Sequence, residues 1–241
     1  MRISNPTPSA IARFISGWAA ANRRDFPWRG SSSRYELAVA EILLQQTAAG
    51  AASGVWSRLM AENRSAKQLA QAAPDDILAI VQILGLGSQR TRRLIDAARA
   101  IDQGATVIPG IGRYGAAVLD LALGNRVLAA PVDTNTARIV GRLWGLSFER
   151  GEPRKKPEVA SLVQAIIGEG NSPDERLSLL YGLVDLGAIV CKPARPNCGS
   201  CPLVEMCAWA RNASFESRDA ATASASASAK GGGTASDTKR I

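Results

Sequence analysis

At 241 residues the chain is long enough to bury one large core or two smaller ones. Its apolar content is 46%, and no apolar run nears the length of a membrane span, which excludes a membrane-embedded helical protein. The formal net charge is +8, only six of the 29 basic residues are lysine, and there is no histidine. An Arg-rich positive body suits a phosphate-bearing partner. The absent histidine removes the Ser-His-Asp triad and every histidine metal site.

The elements follow in chain order. Arg2, Asn5, Pro6 and Pro8 do not form a signal-peptide pattern, so a cytoplasmic location is expected. Ile11, Phe14, Ile15 and Trp18 recur at helical spacing and predict an amphipathic helix over residues 9–22. Asp25-Phe26-Pro27-Trp28-Arg29 breaks it, and Ser31–Ser33 is a loop. A second helix is predicted over residues 34–47, with Glu41 on a face shared with Leu37, Ala38, Leu44 and Gln45. A carboxylate on that stripe is costly to bury without a partner. Val55, Trp56, Leu59 and Met60 continue the helical pattern. Pro74-Asp75-Asp76 opens a helix carrying Ile77, Ile80, Val81 and Leu84, with its acids at the positive end. Gly85-Leu86-Gly87 is a turn, Ser88 the expected N-cap, and Arg90, Arg92 and Arg93 sit on the next helix as expected phosphate contacts.

From Val107 to Asp133 lies the stretch that organises the rest. Ile108-Pro109-Gly110-Ile111-Gly112 makes a tight hairpin in which glycine accepts positive φ. The amides of Ile111, Gly112 and Arg113 are expected to point outward from the start of the following helix, a geometry that suits a phosphate. That helix, Tyr114–Leu123, is short and apolar, and Asp133 begins the next one with Ile139, Val140, Leu143 and Trp144. Read by itself, Asp133 is a helix N-cap. Gly151–Pro157 is a basic loop, and two more apolar helices, about residues 158–168 and 174–190, lead to the cysteines. No stretch alternates as a strand, so the body is predicted to be all-α. The segment from 212 on has no large apolar residue between Phe215 and Ile241 and is expected to be a disordered tail.

All four cysteines fall in one cluster, Cys191-x6-Cys198-x2-Cys201-x5-Cys207. Four thiolates at these spacings could hold either structural zinc or a [4Fe-4S] cluster.

This spacing resembles the iron–sulfur loop of the endonuclease III superfamily of DNA glycosylases, and three further stretches resemble that superfamily in the right order. Ile108–Gly112 is similar to the hairpin of its helix-hairpin-helix, and Val132-Asp133-Thr134 to the segment bearing its catalytic aspartate. Phe26-Pro27-Trp28-Arg29 and Glu41-Ile42-Leu43-Leu44-Gln45-Gln46-Thr47 are similar to early motifs of its mismatch-specific branch. The resemblance covers about residues 10–211. It implies two helical lobes: residues 30–130 with the hairpin, and residues 1–29 joined to 131–211 with the cluster loop, Asp133 lying at the cleft between them. It also implies a [4Fe-4S] cluster on Cys191, Cys198, Cys201 and Cys207, and a monomer acting on double-stranded DNA with a mismatched or damaged base.

The same resemblance assigns roles. Asp133 would stabilise the positive charge that develops on the sugar, Glu41 would face the flipped base, and Tyr114 would line the pocket. Gln45, with Gln46 beside it, would fill the gap left by that base. Ser88 and Gln89 would touch the opposite strand, while Gly110, Ile111, Gly112 and Arg113 would hold phosphate. Bifunctional members carry lysine where this chain has Tyr114, so a monofunctional enzyme without a lysine-based lyase step is expected. Gly85-Leu86-Gly87-Ser88-Gln89-Arg90 lacks the aromatic pair of adenine glycosylases, and the low-complexity tail stands where those usually carry a further domain. Thymine or uracil opposite guanine is therefore the expected target, and adenine opposite 8-oxoguanine or guanine the alternative. Two other readings stand: a non-catalytic DNA-binding member of the fold, and an unrelated zinc-bearing helical protein. The sequence departs from the family pattern between Ile101 and the hairpin, where Asp102–Val107 leaves no room for the usual first helix of the helix-hairpin-helix.

Overall fold

The computed structural model describes residues 6–125, 129–147 and 152–212, and the expected low-complexity tail lies outside the described residues from 213 onward. Among the described residues there are ten α-helices, several short 3-10 turns and no strand.

Helix α1, Pro8–Asn22, starts with proline in its first turn, and Thr7 accepts the Ala10 amide. It buries Ile11 and Ile15. A 3-10 turn at Pro27–Gly30 follows and sinks Trp28, which stacks on Phe26 (5.1 Å) and meets Trp56 edge-on (6.2 Å). Helix α2, Arg34–Leu43, is capped by Ser33. Helices α3 (Ala49–Glu62), α4 (Ala66–Gln71), α5 (Pro74–Val81) and α6 (Gly87–Asp102) close around it. Then come α7 (Arg113–Ala122), α8 (Thr134–Trp144), α9 (Pro157–Gly168) and α10 (Pro173–Ile189).

Two cores result. The first takes the buried faces of α2 to α6 together with Trp28 and Ile108. The second takes α1, α8, α9 and α10. Each fully buried Leu or Ile side chain contributes roughly 1.5–3 kcal/mol. Fully buried Leu59, Leu69 and Leu94 hold the first core, and Ile139, Leu143 and Leu180 the second. Helix α7 belongs to both: Leu119 enters the first core while Val118 and Leu121 enter the second. It packs against both α2 and α10.

Two local expectations need correction, and one helix was not expected. Helix α2 stops at Leu43 instead of 47, and Gln46 lies in the left-handed region at φ +56°. The cause is distant in sequence: the Arg90 guanidinium takes the carbonyls at the end of α2. Ser88 does not cap α6, which is entered from Leu86 in left-handed conformation (φ +54°) with no side-chain cap. Helix α4, begun by Ser65 accepting the Gln68 amide, is too short to produce a periodic signal. Elsewhere the spacing argument agrees with the structure. No helix lies between α6 and α7 among the described residues, so α6 itself leads into the hairpin.

Candidate active site

The hairpin sits where α2, α6 and α7 meet. Gly110 turns it at φ +81°, and a β-carbon there would stand 3.3 Å from Arg93 Cγ. The Gly110 carbonyl accepts from Gln45 Nε2 (2.7 Å), and Gln45 Oε1 accepts from Arg93 Nη1 (2.6 Å). Both ends of the Gln45 amide are therefore held within the protein, against the expectation that this side chain fills the gap in a duplex. Gln46, at the left-handed turn, is exposed and points no bond inward. The Ile111 amide is also used internally, donating to the Ile108 carbonyl at 3.3 Å. Gly112 and Arg113 are exposed, and the first turn of α7 has no side-chain cap. Its amides and Arg113 offer an anion the positive end of a helix.

Between the two cores lies a cavity of about 440 Å³ lined by Glu41, Tyr114, Asp133, Asn135, Arg29, Tyr181 and others. Glu41 reaches it from α2. Gly115 makes this possible: a β-carbon there would stand 3.0 Å from Glu41 Oε2 and 2.9 Å from Ile111. Burial, and then the nearby Asp133 carboxylate, push the Glu41 carboxyl up to about 7 from 4.5. Asp133 opens α8 in a capping box. Its Oδ1 accepts the Thr136 amide (2.7 Å), while Thr136 Oγ1 accepts the Asp133 amide (3.0 Å). Its Oδ2 accepts from Asn135 Nδ2 at 2.8 Å. The cap and the cavity-lining position are thus the same residue in one conformation. Tyr114 closes the wall; burial and then Glu41 raise its phenol well above the ordinary value, so it stays protonated.

The sequence reading missed what supports this wall. Asp185 of α10 is fully buried, and four donors converge on it. Arg24 Nε (2.6 Å) and Arg29 Nη2 (2.8 Å) reach Oδ1, while Arg29 Nη1 (2.6 Å) and the Arg24 amide (2.9 Å) reach Oδ2. Burial alone would raise this carboxyl, but the Arg29 and Arg24 hydrogen bonds outweigh it and hold it below the usual range. Arg29 also lies over the Tyr181 ring at 4.5 Å, so Phe26-Pro27-Trp28-Arg29 delivers a clamped guanidinium to the cavity. A single charge in the apolar C-terminal part of α10, Leu179–Ile189, was the available signal.

Of the other expected DNA contacts, Ser88 and Gln89 are exposed beside Leu86, and Arg92 is exposed on α6. Arg90 is not: it is 4% exposed and hydrogen-bonded to protein carbonyls, so it neutralises no phosphate. A groove of about 920 Å³ carrying Arg113, Arg154, Lys155 and Lys156 adjoins the cavity and shares Tyr114 and Val132 with it.

A hydrogen-bonded run leads from Asp133 to the cysteine loop. Asn135 Oδ1 accepts from Arg138 Nη2 (2.7 Å), which also donates to the Gly187 carbonyl, and Arg138 Nε donates to the Cys191 carbonyl (2.7 Å). The four cysteines are free and line one small cavity of about 20 Å³, walled by Val190, Pro196, Val204 and Trp209. Arg142 Nη1 donates to Cys191 Sγ at 3.3 Å. Among the described residues no three Cys, Asp or Glu converge closely enough to hold a single metal ion. No described helix is long and apolar enough to cross a membrane.

The chain is similar to known DNA repair proteins. Residues 39–162 match the family model for the HhH-GPD superfamily base excision DNA repair protein. A thymine/uracil-DNA glycosylase of Methanothermobacter thermautotrophicus is 31% identical over 211 residues, 83% of this chain and 92% of the relative. An adenine DNA glycosylase of Mycobacterium tuberculosis is 31% identical over 233 residues, 89% of this chain and 74% of the relative. The solved structure of a thermostable thymine-DNA glycosylase superposes with a TM-score of 0.73 at 28% identity, covering 85% of this chain and 97% of that one. By the family match and these relatives, the chain belongs to the HhH-GPD superfamily of base excision DNA repair proteins.

Proposed function

We propose that the protein is a monofunctional DNA glycosylase that hydrolyses the N-glycosidic bond of a flipped thymine or uracil opposite guanine. One observation carries the reading: a single interlobe cavity pairs Glu41, whose carboxyl titrates near neutral pH, with Asp133, beside an uncapped helix start. A base within a duplex is out of reach of such a cavity and must be extruded into it.

In this reading protonated Glu41 gives its proton to the departing base. Burial first, and then the Asp133 carboxylate, keep Glu41 protonated near neutral pH, which suits it to the role of acid. The Asp133 carboxylate, oriented by Thr136 and Asn135, stabilises the positive charge that grows on the sugar and directs water to it. Tyr114 and Tyr181 wall the site from solvent. Tyr114 offers no amine to the sugar, so an abasic site is left without strand cleavage by a Schiff base. Gln46, unlike Gln45, is free to enter the vacated stack, with Ser88 and Gln89 toward the opposite strand. Gly112 and Arg113 hold a backbone phosphate, Gly110 shaping the turn. The protein acts as a monomer, in the cytoplasm.

Cys191, Cys198, Cys201 and Cys207 would hold a [4Fe-4S] cluster. The support is a soft, all-thiol donor set around one apolar-walled cavity, with Arg142 donating to a sulfur. The cluster would tie the loop together, and no chemical step needs it. Iron and acid-labile sulfide in the purified protein would test that assignment, and stoichiometric zinc would replace it.

The relatives that are adenine glycosylases support the second reading, adenine removal opposite 8-oxoguanine or guanine. Single-turnover base release separates the two. Duplexes carrying T·G, U·G, A·8-oxoguanine or A·G are scored with and without alkali, with Asp133→Asn as control. Release from T·G or U·G that needs alkali to reveal a break is expected. Release of adenine alone would move the protein to the second reading, and binding without any release would leave a non-catalytic DNA-binding member of the fold.

A further inference from the structure

Arg90 was expected on the DNA-facing surface of α6, yet it is one of the most buried polar residues of the molecule. Its guanidinium is shared among five acceptors. Nη1 donates to the carbonyls of Ile42 (3.0 Å) and Leu43 (2.9 Å). Nη2 donates to the Gln45 carbonyl (3.3 Å) and Thr47 Oγ1 (2.9 Å). Nε donates to the Gly85 carbonyl at 3.3 Å. The first four acceptors belong to the last two residues of α2 and the turn after it, where a helix C-terminus leaves carbonyls without amides. The fifth belongs to the turn before α6.

Those two turns have something in common. Among the described residues only two that are not glycine have positive φ: Gln46 at +56° and Leu86 at +54°. Each side chain is exposed, and each conformation is disfavoured for a residue with a β-carbon. Such conformations persist only where the surroundings over-determine them. Among the described residues Arg90 is the one side chain bonded to both turns, and its planar fork is suited to holding several carbonyls at once. Arg93 and Gln45 then join this assembly to the hairpin at Gly110.

We infer that Arg90 is a positioning residue: it locks the Gln46 and Leu86 turns into one rigid edge that enters the duplex and keeps the target base extruded. The inference rests on the base-flipping reading above. It is distinct from a phosphate contact and from a purely structural role. Loss of a phosphate contact would lower the salt dependence of DNA affinity by about one ion. A structural role would impair every substrate alike.

The test uses the full-length protein with Arg90→Lys and Arg90→Met, and stopped-flow fluorescence of 2-aminopurine placed beside the mismatched base. Extrusion by both variants is expected to slow by at least about tenfold, about 1.4 kcal/mol of barrier. Release of the same base from a single strand should stay within about threefold, because no stack has to be opened there. The salt slope of duplex affinity should not change. Arg90→Lys keeps the charge but loses the fork, so full rescue by lysine would overturn the inference. So would unchanged extrusion, equal losses on duplex and single strand, or a lowered salt slope. If the Arg90 variants do not fold, Thr47→Val removes a single acceptor, and slower extrusion by this variant is the expected result. Unchanged extrusion in Thr47→Val would then refute the proposal. A wild-type protein that releases no base fails at the preceding reading, whereas an active wild type with unaltered variants fails only here.

Discussion

Glu41→Gln separates the cost of the cavity from its chemistry. The Glu41 carboxyl is raised to about 7 by burial and by Asp133, against 4.5 when unfolded. Below pH 4.5 both states are protonated and the residue costs nothing. Between 4.5 and 7 the unfolded chain ionises first, so stability falls as pH rises, and above 7 the full penalty is present. At 1.36 kcal/mol per pH unit, that gap is worth about 3 kcal/mol. Glutamine keeps the shape and removes the charge. The variant should therefore match wild type near pH 4.5 and exceed it by about 3 kcal/mol at pH 8, or about 6–12 °C in thermal midpoint for a protein of this size. Urea unfolding from pH 4.5 to 8.5 measures the difference directly. Two parallel stability curves, offset by a constant, would refute the argument, because only a perturbed carboxyl produces the pH dependence. Over the same range, wild-type base release should decline as pH rises above 7, and the residual activity of the variant should be flat.

Other expectations follow from neighbouring residues. Asp133→Asn keeps a good N-cap acceptor, so its unfolding midpoint should stay within a few tenths of a kcal/mol while base release falls by at least about 10²; equal losses of both would return Asp133 to the role of a cap. In that background the stabilisation from Glu41→Gln should shrink, since part of the Glu41 shift comes from Asp133. Asp185→Asn leaves Arg24 and Arg29 without their carboxylate, and breaking such a buried pair should cost about 3–5 kcal/mol in urea unfolding. A cost under 1 kcal/mol would mean that the cluster is solvated. Tyr114→Lys places an amine on the cavity wall, and borohydride should then trap a protein–DNA adduct that wild type does not give; no adduct, with base release intact, would show that position 114 does not face the sugar.

How far the sequence could be read depended on whether the cause was local. Asp133 at the start of α8, the helices near 9–22 and 174–190 and the helix opened by Pro74 are all short-range features, and local pattern revealed them. Arg90 was read as a surface cation because three arginines in four residues look like a solvated face. Four of its five acceptors lie more than forty positions upstream, in a stretch that periodicity had placed inside α2. The same ignorance left Gln45 free to insert, when Arg93 and Gly110 already hold its amide. Asp185 had no charged neighbour within its own helix, so only the folded structure could bring Arg24 and Arg29 to it across about 160 positions. These misses share one physical origin: a guanidinium serves distant backbone, and its partners leave no pattern near it.

Helix α7 carries a mechanical consequence. One face of it is built into each core, and its first turn presents both Tyr114 and the hairpin end. Opening the cleft like a pair of jaws would tear Leu119 from one core or Val118 and Leu121 from the other, exposing close-packed apolar surface. The compliant body in any complex is therefore the double helix. The protein works as a stiff die, and the energy of bending and unstacking is drawn from the nucleic acid, so the pairs that deform most easily are the ones it can test first.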